Sequence, residues 1–205
     1  MVTVTAVMFA AVLMPCVATA DSESEARKQI NAAAAGISTM RCDFVQTKHV
    51  AMLNDVITSR GKMCYDSSGR LRWEYTSPYT YLFVINQSRV LIGREGRSDI
   101  IDVNQSKIFK EIARMMMSSV MGSCIDNDRD FTTSITSTST EWIATLTPKR
   151  GSMKQLFSQI VIHFDRHRGM VSKIEMMELG GDRTEIELSN VEINAKIDES
   201  VFSID

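Results

Sequence analysis

From residue 40 onward the chain alternates apolar and polar residues, stops at a turn, and alternates again. Successive side chains on a strand point to opposite faces, so this period of two commits the chain to half-buried β-strands. "RCDFVQTKHV" and "VITSRGKMCY" read as the first two strands, joined by a turn near Met52–Asp55. After Ser67-Ser68-Gly69 comes "LRWEYTSPYTYLFV", a hairpin that turns at Thr76-Ser77-Pro78. Leu71, Trp73 and Tyr75 share one face of its first half, while Tyr81–Ile85 is apolar without a break. "RVLIG" and "SDIID" follow around a Gly93–Arg97 turn. Later strands are "DFTTSITS", "TEWIATLTP", "KQLFSQIVIHF", "GMVSKIEMMEL" and "TEIELSNVEI". Within them Trp142, Ala144 and Leu146 share a face, as do Leu156, Ile160, Ile162 and Phe164, Ile174 with Met176, and Ile186 with Leu188. Short strands at regular spacing predict an antiparallel sheet, strongly curved or barrel-like.

Two segments keep helical spacing instead. "SESEARKQINAAAAGI" opens on Ser and acidic residues, ends at Gly36, and puts Ile30, Ala33, Ala34 and Ile37 on one face. "NQSKIFKEIARMMMSSVMGS", 104–123, has a wide apolar face that includes Ile108, Ile112, Met115, Met116 and Val120.

The first twenty residues read as a signal peptide. "AVMFAAVLMP" is too short to span a bilayer, and Ala18-Thr19-Ala20 precedes the charged "DSESEARK". Removing them leaves about 185 residues, enough for a single domain over 21–205 with a sizeable core. Pro15 before Cys16 is wrong for a lipoprotein signal, which wants a small residue there. A formal net charge of −2 without a basic run argues against nucleic acid as a partner.

Cys42, Cys64 and Cys124 remain in the mature chain, an odd number. Cys42 and Cys64 lie symmetrically about the first hairpin turn, so a cross-strand disulfide is one reading and two small buried hydrophobes the other. His163, Asp165 and His167 in "HFDRH" share a strand face, but Arg166 and Arg168 beside them oppose a cation, and no metal is expected. No Gly-x-Ser-x-Gly occurs, and Cys124 has no nominated histidine. No catalytic residue and no cofactor is expected.

Taken in order, the first helix, "RCDFVQTK", "RGKMCY", "RLRWEYTSPYTYLFVIN" and the run from "LTPKRGSMKQLF" to "DESVFSI" resemble the periplasmic outer-membrane lipoprotein carrier protein, LolA, family. The resemblance implies a mainly β (α+β) fold: an incomplete antiparallel β-barrel of about eleven strands with a helical lid over an apolar cavity. It implies a monomeric periplasmic carrier that shields the acyl chains of lipidated proteins. Such a carrier takes them from an inner-membrane lipoprotein-releasing transporter to an outer-membrane acceptor. The acyl-binding residues would be Phe44, Leu71, Trp73, Tyr75, Leu82, Val84, Ile112, Met116, Val120, Trp142, Ile160, Ile162 and Ile174. Family members carry an Arg-Pro pair in the turn after the second strand, whose Arg latches the lid. Here that turn is "DSSGR", and Arg70 is the candidate substitute. A carrier or sensor of another lipid or glycolipid is the alternative within the fold. A hydrolase using Cys124 or His163 is the alternative outside it.

Overall fold

The computed structural model describes residues 22–94, 96–102, 104, 117–118 and 123–204. The signal segment 1–20, Cys16 and most of the expected helix 104–123, including Ile112, Met116 and Val120, lie outside them. Among the described residues no helix is long and apolar enough to cross a membrane.

Helix α1 spans Glu23–Ala35. Ser22 caps it by accepting from the Glu25 amide, and Glu23 and Glu25 place negative charge at its positive end. Six strands follow: β1 (Thr39–Val50), β2 (Asp55–Asp66), β3 (Arg70–Ser77), β4 (Tyr81–Asn86), β5 (Arg89–Arg94) and β6 (Arg97–Asp102). A 3-10 turn at Ser123–Asp126 leads to β7 (Phe131–Ser137) and β8 (Glu141–Pro148). The short helix α2 (Gly151–Leu156) runs directly into β9 (Phe157–Asp165), β10 (Met170–Glu178) and β11 (Arg183–Ile193).

All eleven strands form one antiparallel sheet in the order β6-β5-β4-β3-β2-β1-β11-β10-β9-β8-β7. Within β1–β6 and within β7–β11 consecutive strands pair with one another, β8 and β9 across α2. Among the described strands the one long-range pairing is β1 with β11, which joins an arm of β1–β6 to an arm of β7–β11. The sheet stays open, with β6 and β7 as edges. Helix α1 lies on one face, called inner here. Its Ala26 and Ile30 enter a buried cluster with residues from β1, β2, β3, β4, β5, β7, β8, β9, β10 and β11. The helix approaches closely enough that a side chain at Gly169 would meet the Ala33 Cβ at 2.6 Å. Asn194 then ties the start of β1 to the end of β11: its Oδ1 accepts from the Ser38 amide at 2.8 Å, and its Nδ2 donates to the Gly36 carbonyl at 2.9 Å.

Two expectations are corrected. The strand read from "KQLFSQIVIHF" begins only at Phe157, because 151–156 coil into α2. That helical turn rotates Leu156 out of the alternation, leaving it 45% exposed, and Met153 enters the inner cluster instead. The Cys42–Cys64 disulfide is absent, and both thiols are free. The hairpin register pairs Cys42 with Met63 and Arg41 with Cys64, one residue away from the assumed symmetry. A slip of one residue turns a side chain to the other face. Cys42 is therefore in the inner cluster, and Cys64 packs on the opposite face. Burial pushes the Cys42 thiol up to about 12, with the nearby Asp43 charge adding to it.

Candidate functional site

The large side chains of the aromatic hairpin meet on the inner face of β1–β4. Cross-strand pairing sets up two adjacent rows. One runs Ile92–Phe83–Trp73–Met63–Cys42, and the other Tyr81–Tyr75–Gly61–Phe44–Leu188. Gly61 leaves a gap in the second row, and the Phe44 ring lies in it. A Cβ at Gly61 would stand 2.3 Å from Phe44 Cζ and 2.1 Å from the Glu74 carbonyl oxygen. Leaning over this glycine, Phe44 reaches Trp73 with ring centroids 4.4 Å apart, and meets Tyr75 edge-on at 5.2 Å. Tyr75 continues edge-on to Tyr81 at 6.1 Å. The edge-to-face contacts of Tyr75 are a favourable arrangement for aromatic rings.

Gly61 is the site residue that sequence reasoning missed. Its signal was present, since a glycine inside a strand marks a bulge or a close approach. Both occur here: the β2–β3 register shifts between Arg60 and Gly61.

Polar atoms on this face are few. The Tyr75 hydroxyl donates to Gln46 Oε1 at 2.8 Å, and burial holds the phenol above its ordinary range. Trp73 is 5% exposed, and its indole Nε1 has no hydrogen-bond partner among the described residues. On the other arm the inner face is mainly aliphatic, with Phe131, Trp142 and Phe164 toward its edge. Ala144, Ile162, Ile174 and Ile186 stand side by side across β8, β9, β10 and β11, with Leu146 and Ile160 in the next row. Trp142, paired with Phe164, completes it. Met117, a described residue of the expected second helix, packs half-buried against the same cluster.

The structure thus gathers Phe44, Leu71, Trp73, Tyr75, Trp142, Ile160, Ile162 and Ile174 on one face. It does not bring Leu82 and Val84 to them, which corrects their assignment to the same surface. In β4 Phe83 and Ile85 point inward, so alternation sends Leu82 and Val84 outward. There the C-terminal segment covers them: Phe202 and Ile204 form a second buried cluster with Val84, against which Leu82, Leu91 and Cys64 pack.

Arg70 is corrected in the same way. It leaves β3 on the outer face, next to inward-facing Leu71, and its guanidinium stands 5.1 Å from the centre of the Phe202 ring. It pairs with Asp66 at 2.9 Å and Glu199 at 3.6 Å. Burial would raise the Asp66 carboxyl, but the Ser68 hydroxyl, the Ser68 amide and Arg70 outweigh it and hold it below the usual carboxylate range. Arg72 donates to the Val201 carbonyl and Asn86 to the Phe202 carbonyl, at 3.3 and 3.1 Å. Arg70 therefore fastens the chain end to the outer face rather than a lid to the inner one.

The outer face of the second arm is charged. His163 sits between Glu141 and Glu175, at 3.3 and 3.2 Å. Lys173 bridges Glu175 and Glu185 at 3.0 and 2.7 Å, and Arg183 pairs with Glu185 as well. Asp165 is occupied in its own turn, accepting from the His167 and Arg168 amides. Among the described residues no group of three or more His, Cys, Asp or Glu is placed to hold a metal ion. Cys124 is buried in the inner cluster while His163 is on the outer face, so the two residues named for a hydrolase are not brought together.

A family model described as "Outer membrane lipoprotein carrier protein LolA" matches residues 35–205. No curated protein matches the chain. Among solved structures, an uncharacterized conserved protein from Thermus thermophilus superposes with a TM-score of 0.53 at 8% identity, covering 87% of this chain and 91% of that one. MucB superposes with a TM-score of 0.50 at 14% identity, covering 89% of this chain and 62% of MucB. A LolA superfamily protein from Nitrosomonas europaea gives 0.45 at 8% identity, covering 89% and 98%. At these identities the likeness is one of fold.

Proposed function

This chain belongs to the LolA family of outer membrane lipoprotein carrier proteins, and from that premise we propose that it is a periplasmic carrier of acylated proteins. Residues 1–20 direct export, and 21–205 form the carrier domain. The domain works as a monomer and takes acyl chains from an inner-membrane transporter to an outer-membrane acceptor. The acyl chains lie on the inner face against Phe44, Leu71, Trp73, Tyr75, Trp142, Ile160, Ile162 and Ile174. In this proposal Ile112, Met116 and Val120, which lie outside the described residues, would cover them.

The observation that carries the reading is the breadth of the inner face. One arm offers flat aromatic rings and the other branched aliphatic side chains, and both belong to a single buried cluster. Burying a methylene is worth roughly 0.8 kcal/mol. A chain of about 16 carbons therefore gains on the order of 10 kcal/mol before ordering costs. That is enough to hold cargo without a covalent bond, and no catalytic step enters the reading.

Native mass spectrometry of the protein purified from its own periplasm tests it. Co-purifying triacylated protein supports the carrier of lipoproteins. A bound glycolipid or other lipid moves the cargo class and keeps the site. In a Trp142→Phe background, a long-chain acyl probe should shift the emission of Trp73 to the blue. An unmoved spectrum with binding shown independently would remove Trp73 from the site.

A further inference from the structure

On the aromatic arm the inner face carries one buried polar atom that an alkyl chain cannot serve; on the far arm the Thr133 and Ser137 hydroxyls of β7, in phase with inward-facing Phe131 and Ile135, are buried without a partner among the described residues too. Trp73 Nε1–H is buried, and no described residue accepts its proton. Its row neighbours on the adjoining strands, Met63 and Phe83, are apolar, and the Phe44 ring lies against it at 4.4 Å. The Tyr75 hydroxyl senses the indole N–H, which works against the rise that burial imposes on the phenol. By distance and angle the indole N–H still makes no hydrogen bond, and the Tyr75 proton goes to Gln46. A trapped water would want about two to four polar partners, which this apolar row does not supply.

Burying a donor unpaired weakens a complex by a factor of roughly ten to a hundred relative to pairing it. A pure hydrocarbon passing Trp73 leaves the donor in that state. A carbonyl oxygen at the head of an acyl chain relieves it. Resting on the carrier reading above, we infer that Trp73 donates to the carbonyl of an ester- or amide-linked acyl chain. It thereby fixes how deep the chain sits and selects acyl over alkyl ligands. The aromatic arm then reads the linkage, and the aliphatic row of Ala144, Ile162, Ile174 and Ile186 on the other arm accepts the tail. Hydrophobic burial alone cannot make this distinction, because ester and ether lipids of equal length offer nearly the same apolar surface.

The test compares two probes with the same headgroup and chain length, a dipalmitoyl ester lipid and its di-hexadecyl ether, on the full mature chain. The wild type should bind the ester about tenfold more tightly. Trp73→Phe should bind the two probes with equal affinity. In the wild type labelled with nitrogen-15, the Trp73 indole N–H resonance should move downfield with the ester and stay put with the ether. This second readout decides the matter if Trp73→Phe fails to fold. Equal wild-type affinity for the two probes, an ester preference that survives in Trp73→Phe, or an indole resonance indifferent to the linkage would each overturn the inference and leave the carrier reading standing. Failure to bind either probe would overturn both.

Discussion

On β4 the run Tyr81–Ile85 is apolar at every position, whereas on β9 Ile160, Ile162 and Phe164 alternate with polar Gln159 and His163 and with Val161. Both strands bury their inner face in the same cluster. They differ in what lies outside. Phe202 and Ile204 return over β4, so Leu82 and Val84 need an apolar environment too. Nothing of the kind covers β9 among the described residues, and its outer side carries the His163, Glu141 and Glu175 group. An unbroken apolar strand is thus the mark of a second covering layer, and an alternating one the mark of a face left to water. The crowded aromatic hairpin serves two purposes at once: odd-numbered Leu71, Trp73, Tyr75 and Phe83 face the inner cluster, and Leu82 and Val84 seat the chain end.

The contrast can be broken most sharply from the outside of the first arm. Phe202→Ala should cost about 4 kcal/mol in urea unfolding, the usual scale for removing a buried phenylalanine. His163→Ala, on the outside of the second arm, should cost less than about 1 kcal/mol. Similar losses at the two sites would end the distinction.

Gly61→Ala comes next, at about 3 kcal/mol, since the added methyl meets both the Phe44 ring and the Glu74 backbone. It should also move the Trp73 emission, because Phe44 must leave the indole to make room. A variant as stable as the wild type with an unchanged spectrum would mean that the ring does not depend on that gap.

A smaller effect is expected in the charged patch. The Lys173 ammonium is the main reason that the Glu185 carboxyl lies below its usual range, and burial opposes it. A carboxyl depressed in the folded state stabilises the fold above its unfolded value near 4.3 and loses that contribution as pH falls through the folded value. Lys173→Met should cost less than about 1 kcal/mol at pH 7. Its deficit should shrink below about pH 4 and in high salt. A deficit indifferent to both would assign the loss to packing of the lysine stem. Smallest of all is the response to reductant: dithiothreitol should leave the melting temperature unchanged, whereas a disulfide in the first hairpin would show a loss of about 2–4 kcal/mol.

Much of this architecture was legible in the chain. Alternation located the strands and Ser22 and Gly36 bounded α1, because each depends on neighbours a few residues away; the β5–β6 turn is tighter than Gly93–Arg97, since Gly93 pairs with Ser98 and Arg94 with Arg97. The inner residues on alternating strands, from Phe44 to Ile174, followed from the same period. The errors fell where two distant segments had to be aligned. Cys42 and Cys64 miss each other by one residue of register. Leu156 looked in phase with Ile160 until a helical turn intervened. Leu82 and Val84 could not be told from Phe83 and Ile85 inside an unbroken apolar run, since such a run carries no phase.

Local spacing and composition alone specify the set of strands, their likeness to one family of carriers, and a surplus of large apolar side chains near Trp73. Those properties hold whatever the strands pair with. Which face each residue takes was decided by tertiary structure alone. The β1–β2 register is one residue from the symmetric guess, the gap at Gly61 has meaning only because Phe44 stands opposite it, and Arg70 grips Asp66 and the 199–202 turn because the last residues cross β3 and β4. The reason is geometric: side chains on a strand reverse face at every residue, so the identity of a face is settled by pairing between segments far apart in the chain.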